Sequence, residues 1–533
     1  MPKNIITRLV SSFPFLNKGE WQLVWILFIV SVLSRSMILF NLGYQTDDYA
    51  ASLIDDNRGI SINWFIQEGR FFAGLVYIGL GKIGLINYYS SGLLFILASF
   101  ILVWSGAILC RIWNIENDRI SSGIVMGFLS LHPYLTELFS YHSTYPMIAF
   151  EFGLGFLGLW FMLCGSWIWL IGCFCIVAAL GTYQVIVHYL SVAVLFGVAL
   201  QILRFDWSQG GLPMRSLGFR RIFRAVFGLP FAVFLYFIIQ KTIQYTAGIA
   251  CAERGDFLHG YQTMTRLRDI KHFLEWIMYR DELLPTSTRL LLLLLLICGF
   301  AALLKKFLLN KKYNKNIIFI IFSAMVVIFA AAISSLSLPI FLSKFQVDPR
   351  IISAMALWWA GIACIALLSQ GWLRIATICV SVAILMGFFS VNTRLLSEQI
   401  RLNRWDFSLA NRIIYRLEEL PEFKNVKRII VLGGNTDYQQ KLGIRHGEIG
   451  ASAFGRDWSK RLILCEASGY QFEQPTTEDF KLALELFQIS PKWPSDGSVQ
   501  IKGELGLIFL PPPKLGIFGN EIPMPGMMQP PFF

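Results

Sequence analysis

Charge is scarce in this chain: Asp, Glu, Lys and Arg make up 15% of its 533 residues, against about 25% in soluble domains. Apolar runs near the length of a membrane span recur instead, which excludes an ordinary soluble globular protein. Paired cysteine motifs are also lacking. Cys173 and Cys175 have no His or second Cys pair beside them, so a structural zinc site is excluded. Cys110, Cys164, Cys298, Cys364 and Cys379 lie in or beside apolar runs too, where cysteine packs as a small hydrophobe. No G-x-G-x-x-G follows the strand-like run ending at Gly433-Gly434, which removes a dinucleotide site. The first apolar run is too long for a signal peptide and has no small-residue cleavage pattern, so it is expected to stay as an anchor.

What is present is a polytopic α-helical pattern. Apolar runs at 21–42, 90–110, 121–135, 147–163, 167–181, 185–203, 225–246, 288–304, 316–336, 352–368 and 375–391 read as eleven transmembrane helices. The segment 71–86 is apolar but interrupted by Gly74, Gly79, Gly81, Lys82 and Gly84, and reads as interfacial or re-entrant. The formal net charge of +12 does not point to nucleic acid, because basic residues cluster between apolar runs. Lys3, Arg8 and Lys18 place the N-terminus in the cytoplasm, as do the basic loops 204–224 and 305–315 for their own positions. Residues 43–89, 136–146, 247–287 and 337–351 are then on the outer side, with residues 247–287 a surface helix or a lid.

The composition turns polar after residue 391. Residues 392–533 read as a small C-terminal α/β domain on the periplasmic side of a bacterial inner membrane, after a membrane domain over 1–391. Its expected elements are an amphipathic helix over 401–417 and strands at 428–432, 461–465 and 505–510. A further helix is expected from Thr476, its N-cap, to about Gln488, before a proline-rich tail from Pro511. Cys465 here and Cys251 in an outer loop are a candidate disulfide pair in a periplasm.

Residues 44–70 stand out. They hold Asp47, Asp48, Asp55, Asp56 and Glu68, with Arg58, Arg70 and Trp64, directly after the first apolar run. Acids at a membrane edge are costly and mark sites or water-filled cavities. A carboxylate there serves as a general base, and guanidinium groups such as Arg58, Arg70 and Arg350 suit a lipid phosphate. Head-group anchoring and helix capping explain the same residues equally well. Glu151 and His188 are polar positions within apolar runs, while Tyr141, His142 and Tyr145 suit sugar stacking or an aromatic belt.

Asp47-Asp48-Tyr49, followed by Gly69-Arg70-Phe71, resembles the first-loop pattern of serotype-converting O-antigen glucosyltransferases of phages and enteric bacteria. Gly181-Thr182-Tyr183-Gln184 resembles that family's mid-chain Tyr-Gln, and His132-Pro133 with Glu137, and Pro349-Arg350, are looser likenesses. Either Asp pair fits the alignment; Asp47-Asp48 adjoins the span. The resemblance implies a GT-C-like fold with Asp47, Asp48, Asp55 and Asp56 as candidate catalytic acids. Arg58, Trp64, Glu68, Arg70, Glu137, Tyr183, Gln184, His188 and Arg350 are the candidate substrate contacts. It also implies an undecaprenyl-phosphate glucose donor and a lipid-linked O-antigen (lipopolysaccharide) acceptor, with inversion; no cofactor is expected, and the chemistry needs no metal, although the cluster of acids does not exclude one. The rival reading, a transporter or flippase of a lipid-linked sugar, predicts an inverted repeat of spans that the sequence does not contain.

Overall fold

A computed structural model describes residues 10–40, 44–53, 62–85, 90–165, 167–205, 217–250, 263–279, 283–310, 317–337, 340, 348–434 and 451–512. Helices α1 (Lys18–Ser34) and α2 (Met37–Phe40) cover the first apolar run, and α3 (Thr46–Leu53), α4 (Ile62–Gln67) and α5 (Phe71–Lys82) follow. Then come α6 (Ser91–Ile112), α7 (Arg119–Leu131), α8 (Pro133–Ser140), α9 (Tyr145–Cys164), α10 (Ile168–Leu180), α11 (Ile186–Arg204) and α12 (Leu217–Ala247). The membrane part ends with α13 (Thr263–Tyr279), α14 (Thr286–Asn310), α15 (Ile317–Ser334), α16 (Met355–Leu367) and the start of α17 (Trp372–Glu418).

By length and composition, six of the described helices are able to cross a membrane: α6, α9, α11, α12, α14 and α17. The remaining expected spans also fall on helices, most of them shorter. The spans of α6, α9 and α11 are 67% buried and those of α12 and α14 only 33% and 39%, so the first three form the centre of the bundle. The outer helices expose Phe227, Phe234, Leu290, Phe300 and Leu304, a surface that suits lipid. Helix α5, at 12 residues, spans about 18 Å and falls short of the roughly 30 Å hydrocarbon core.

The sequence run 121–135 is two helices rather than one. His132 ends α7 and caps α8 by accepting from the Tyr134 amide, with Pro133 at the first helical position. Proline lacks the N–H that would continue the ladder of α7 and is preorganised to start a helix. Elsewhere polar residues tie the bundle together. Asn17 and Glu20 close a capping box at the start of α1, and Glu20 pairs with Arg111 at 2.6 Å. Asp118 caps α7 and pairs with Arg374 at 2.7 Å. Arg35, fully buried, donates to Ser31, Ser130 and Thr136, and Thr136 donates to Asn392 of α17.

Helix α17 has 47 residues, about 70 Å, more than twice the hydrocarbon core. It runs unbroken past residue 391, so the change of composition there leaves no mark on the backbone. Its far half packs Leu409, Ile413 and Leu417 against the C-terminal unit. That unit is a three-stranded sheet, ordered β1-β3-β2, of β1 (Arg428–Leu432), β2 (Val499–Lys502) and β3 (Leu505–Phe509). β1 is parallel to β3 with Arg428 opposite Leu505, and β2 is antiparallel to β3 with Val499 opposite Ile508. Two helices complete it, α18 (Asp457–Ser468) and α19 (Thr477–Ile489). Thr476 caps α19 in a reciprocal box with Asp479, as expected.

The strand expected at 461–465 is instead the middle of α18. A four-residue apolar run cannot tell strand from buried helix by periodicity, and the buried set Ser459, Lys460, Leu462, Ile463, Leu464 and Cys465 gives this helix a broad inner face. Cys465 is a buried free thiol on that face; Cys251 lies outside the described residues, as does the tail from residue 513.

Candidate active site

Helix α3 carries the first Asp pair, and its position is set from two sides. On one side Tyr44 is clasped by Asn403 of α17: the Tyr44 amide donates to Oδ1 and Nδ2 donates to the Tyr44 carbonyl, both at 2.8 Å. Tyr44 and Tyr49 stack at 5.1 Å, and both belong to the apolar core of the C-terminal unit. On the other side, Gln45 donates from Nε2 to Ser140 at 3.0 Å. The two acids then differ. Asp48 is 1% exposed, accepting from the amides of Gln45 at 3.0 Å and Ser143 at 3.2 Å. Burial pushes its carboxyl above the usual range, opposed by the His142 charge and by the amides of Gln45, Ser143 and His142. Asp47 is exposed and accepts from Trp458 Nε1 of α18 at 3.0 Å.

The turn that receives Asp48 also holds Arg350. Tyr141 accepts from Arg350 Nη1 at 2.7 Å and lies under its guanidinium at 5.3 Å. Buried Glu137 accepts from the Arg350 amide at 2.6 Å, and Asp348 pairs with its guanidinium at 3.6 Å. Asp48 and Arg350 are thus both held by residues 141–143.

Arg70 is built differently. Its guanidinium lies over Tyr183 at 4.8 Å and Trp64 at 5.6 Å, and its buried Nε has no hydrogen-bond partner among the described residues. The backbone before Arg70 is gripped carbonyl by carbonyl. Gln244 donates to Ile66 at 3.0 Å and Gln67 at 3.4 Å, Gln184 to Glu68 at 2.8 Å, and Tyr236 to Gly69 at 2.9 Å. Gly69 has φ +73°, and a Cβ there would stand 2.7 Å from Gln240 Nε2 and from the Tyr236 hydroxyl. Only glycine meets both demands, a left-handed backbone and three side chains pressed on the turn.

The structure therefore brings Arg70 together with Trp64 and Tyr183, sets Gln184 on the Glu68 carbonyl, and groups Glu137, Arg350 and Asp48 around residues 137–143, with Asp47 on the helix of Asp48. His188 is placed apart from these contacts: it is fully buried, and its Nδ1 meets the Ser334 carbonyl at 2.6 Å and Ser337 Oγ at 3.1 Å. Asp55, Asp56 and Arg58 lie outside the described residues. Among the described residues, no three His, Cys, Asp or Glu side chains are grouped to hold a metal. Sequence reasoning missed Asn403, Trp458, Tyr236 and Gln244. The last two lie in an apolar run at i and i+8, where polar side chains on one helix face were the available signal. Asn403 and Trp458 carry no local signal, since their partners are 359 and 411 residues away.

A family model described as Glucosyl transferase GtrII matches residues 36–350. The matched stretch runs from just before α2 to Arg350 and leaves out α16, α17 and the C-terminal unit. No curated protein and no solved structure matches the chain.

Proposed function

The chain belongs to the GtrII glucosyl transferase family, and from that premise we propose that it moves glucose from undecaprenyl-phosphate glucose to a lipid-linked O-antigen repeat at the periplasmic membrane face. The observation that carries this reading is that one short turn holds both groups: the Ser143 amide donates to Asp48 and Arg350 donates to the Tyr141 hydroxyl, so an acid-bearing helix and a guanidinium share residues 141–143. Asp47 is the base and Asp48 the anchor. A base must reach the acceptor hydroxyl; Asp47 is exposed, whereas both oxygens of Asp48 are occupied by backbone amides.

In the step so assigned, Asp47 takes the proton of an acceptor hydroxyl as its oxygen bonds to the anomeric carbon. The bond from that carbon to the phosphate oxygen breaks with inversion. The polyprenyl phosphate leaves with its charge held by Arg70 and Arg350. The test is glucosylated O-antigen in cells supplied with a donor-making system and this chain. Sugar that crosses the membrane without being joined to acceptor would replace the transferase by a transporter. The C-terminal unit belongs in the periplasm on this reading, because residues 204–224 and 305–315 are basic. A reporter active only in the cytoplasm, fused after residue 418, should stay silent; its activity would put the site on the wrong side.

A further inference from the structure

The acid assigned as base and the C-terminal unit meet at one side chain. Trp458, near the start of α18, donates from Nε1 to Asp47 Oδ1 at 3.0 Å, across 411 residues of chain. Its indole is 41% exposed. A single exposed aromatic is ordinary by itself. Trp21, Trp25 and Trp372 are exposed too, but on helices of the apolar bundle, where lipid or its head groups cover an indole. Trp458 stands instead on a helix of the α/β unit. The residues after it, Ser459 and Lys460, are buried, and Leu462, Ile463 and Leu464 root the helix in the core that also holds Tyr44 and Tyr49, on either side of Asp47. Indole and carboxylate are thus carried by two elements that share one core, so packing fixes their relative position.

The chemistry of the two groups restricts what they suit together. An indole has one donor, and Asp47 accepts it, so the rest of the ring offers apolar faces and no further hydrogen bond. Arg456 stands over the ring at 5.6 Å and takes one of its two faces. A carboxylate has about four acceptor positions, so the indole N–H does not use up the capacity of Asp47 for a hydroxyl. A ligand that satisfies both groups has an apolar face edged with hydroxyls, which describes a sugar ring. Its C–H face packs on the indole at about 4 Å, and a hydroxyl on its rim then comes within the roughly 3 Å reach of a base at the Nε1 edge. An acyl chain matches the indole alone, and a phosphate is repelled by the acid.

We propose that Trp458 is the platform on which the acceptor sugar stacks, and that the same indole, through Nε1, holds Asp47 toward the attacking hydroxyl. The inference rests on the transferase reading and names how its acceptor is held. Trp458 touches the acceptor directly and acts on the base as a positioning residue. It lies in the C-terminal unit, outside the family match over residues 36–350, and gives that unit a part in the reaction.

The experiment uses the full chain in phosphatidylcholine nanodiscs, with undecaprenyl-phosphate glucose as donor and an undecaprenyl-diphosphate-linked O-antigen repeat as acceptor. Binding of a fluorescent form of the acceptor is measured without donor, beside the steady-state rates. Trp458→Leu removes the ring and should weaken acceptor binding and raise acceptor KM roughly tenfold, the size expected for a lost aromatic platform. Trp458→Phe keeps a ring and loses the donor. It should hold acceptor binding within about threefold of the wild type while kcat falls roughly tenfold, as Asp47 loses its fixed direction. The donor KM should stay unchanged in both. Unchanged acceptor binding in Trp458→Leu overturns the proposal. So does a loss of acceptor affinity in Trp458→Phe as large as in Trp458→Leu, and this second variant covers a folding defect in the first. Unchanged kcat in Trp458→Phe overturns the positioning role. The repeat released from its lipid, used as a competitor of the fluorescent acceptor, separates stacking from membrane anchoring: Trp458→Leu should weaken it by the same factor. If only the lipid-linked form loses affinity, or the free repeat does not compete at the wild type, Trp458 is a membrane anchor and the proposal falls. Absence of transfer by the wild type would defeat the reaction reading alone, because acceptor binding still reports on Trp458.

Discussion

The carboxylate end and the guanidinium end of the site are supported by different parts of the chain. Asp47 and Asp48 sit on a short helix whose neighbours are Asn403, Trp458 and the apolar core of the C-terminal unit. Arg70 and Arg350 sit among helices of the bundle, held against aromatic faces, with the carbonyls just before Arg70 accepting from Gln184 and Tyr236. The first end is fastened by pairs of hydrogen bonds that satisfy donor and acceptor together. The second leaves a buried guanidinium nitrogen of Arg70 without a hydrogen-bond partner among the described residues. A base needs fixed geometry and exposure to the acceptor, while a phosphate site needs hydrogen-bond donors, and the two modes of support match those needs.

The sharpest way to break this contrast is within the Asp pair. Asp47→Asn should lose about two to four orders of magnitude in kcat, the usual size for a general base. Insertion and thermal midpoint should be unchanged, because Asp47 is exposed. Asp48→Asn should act in the opposite order. The amide cannot accept from both the Gln45 and the Ser143 N–H, so one buried donor loses its partner, at a cost of about 1–3 kcal/mol. A fall in midpoint with residual kcat is therefore expected for Asp48→Asn. Equal midpoints and equal kcat losses for the two variants would erase the division between base and anchor.

At the other end, Arg70→Lys keeps the charge but loses the plane that lies between Trp64 and Tyr183. Lysine cannot stack in that way or bind phosphate with a fork of two donors. The fall in kcat/KM for the donor should be roughly ten- to hundredfold, the equivalent of one charged hydrogen bond. Full activity of the Lys variant would leave Arg70 as a packing residue. The same measurement on Arg350→Lys sharpens the comparison, since Tyr141 already occupies one of its donors.

Much of the guanidinium end was legible in the sequence, because its parts are local patterns. Gly69-Arg70 needs a glycine for its left-handed turn, and Tyr183-Gln184 sits where one helix ends and the next begins. The sequence leaves the choice between the two acid pairs to their distance from the first apolar run, and Asp55 and Asp56 lie outside the described residues. The support of the carboxylate end was not legible. Nothing in α17 announces that Asn403 will clasp a residue 359 positions earlier. The apolar run at 461–465 reads as a strand until tertiary packing makes it the helix that presents Trp458. Hydrophobic period locates elements, but a polar contact across hundreds of residues has no period to detect.

The smallest expected effect tests whether the carboxylate end depends on the C-terminal unit at all. Asp406, fully buried on α17, accepts from Ser452 Oγ at 2.6 Å and from the Ala453 amide at 2.8 Å, just before the helix that carries Trp458. Burial pushes its carboxyl up to about 7, against the lowering by those two donors, whereas an unfolded aspartate titrates near 3.9. Between these values the unfolded chain has released the proton and the folded chain keeps it, so rising pH favours the unfolded state. The stabilisation is complete below about pH 4 and is lost as pH passes through about 7. Asn mimics the neutral acid, with its oxygen toward the Ala453 amide and its NH₂ toward Ser452. Hydrogen exchange over residues 451–468 should therefore quicken in the wild type between about pH 5 and pH 8, after correction for the intrinsic rate, and stay level in Asp406→Asn. Residues 62–82, at the guanidinium end, should show no such difference. An equal pH response at both ends, or none at 451–468, would mean that the two halves of the site do not differ in their support as described.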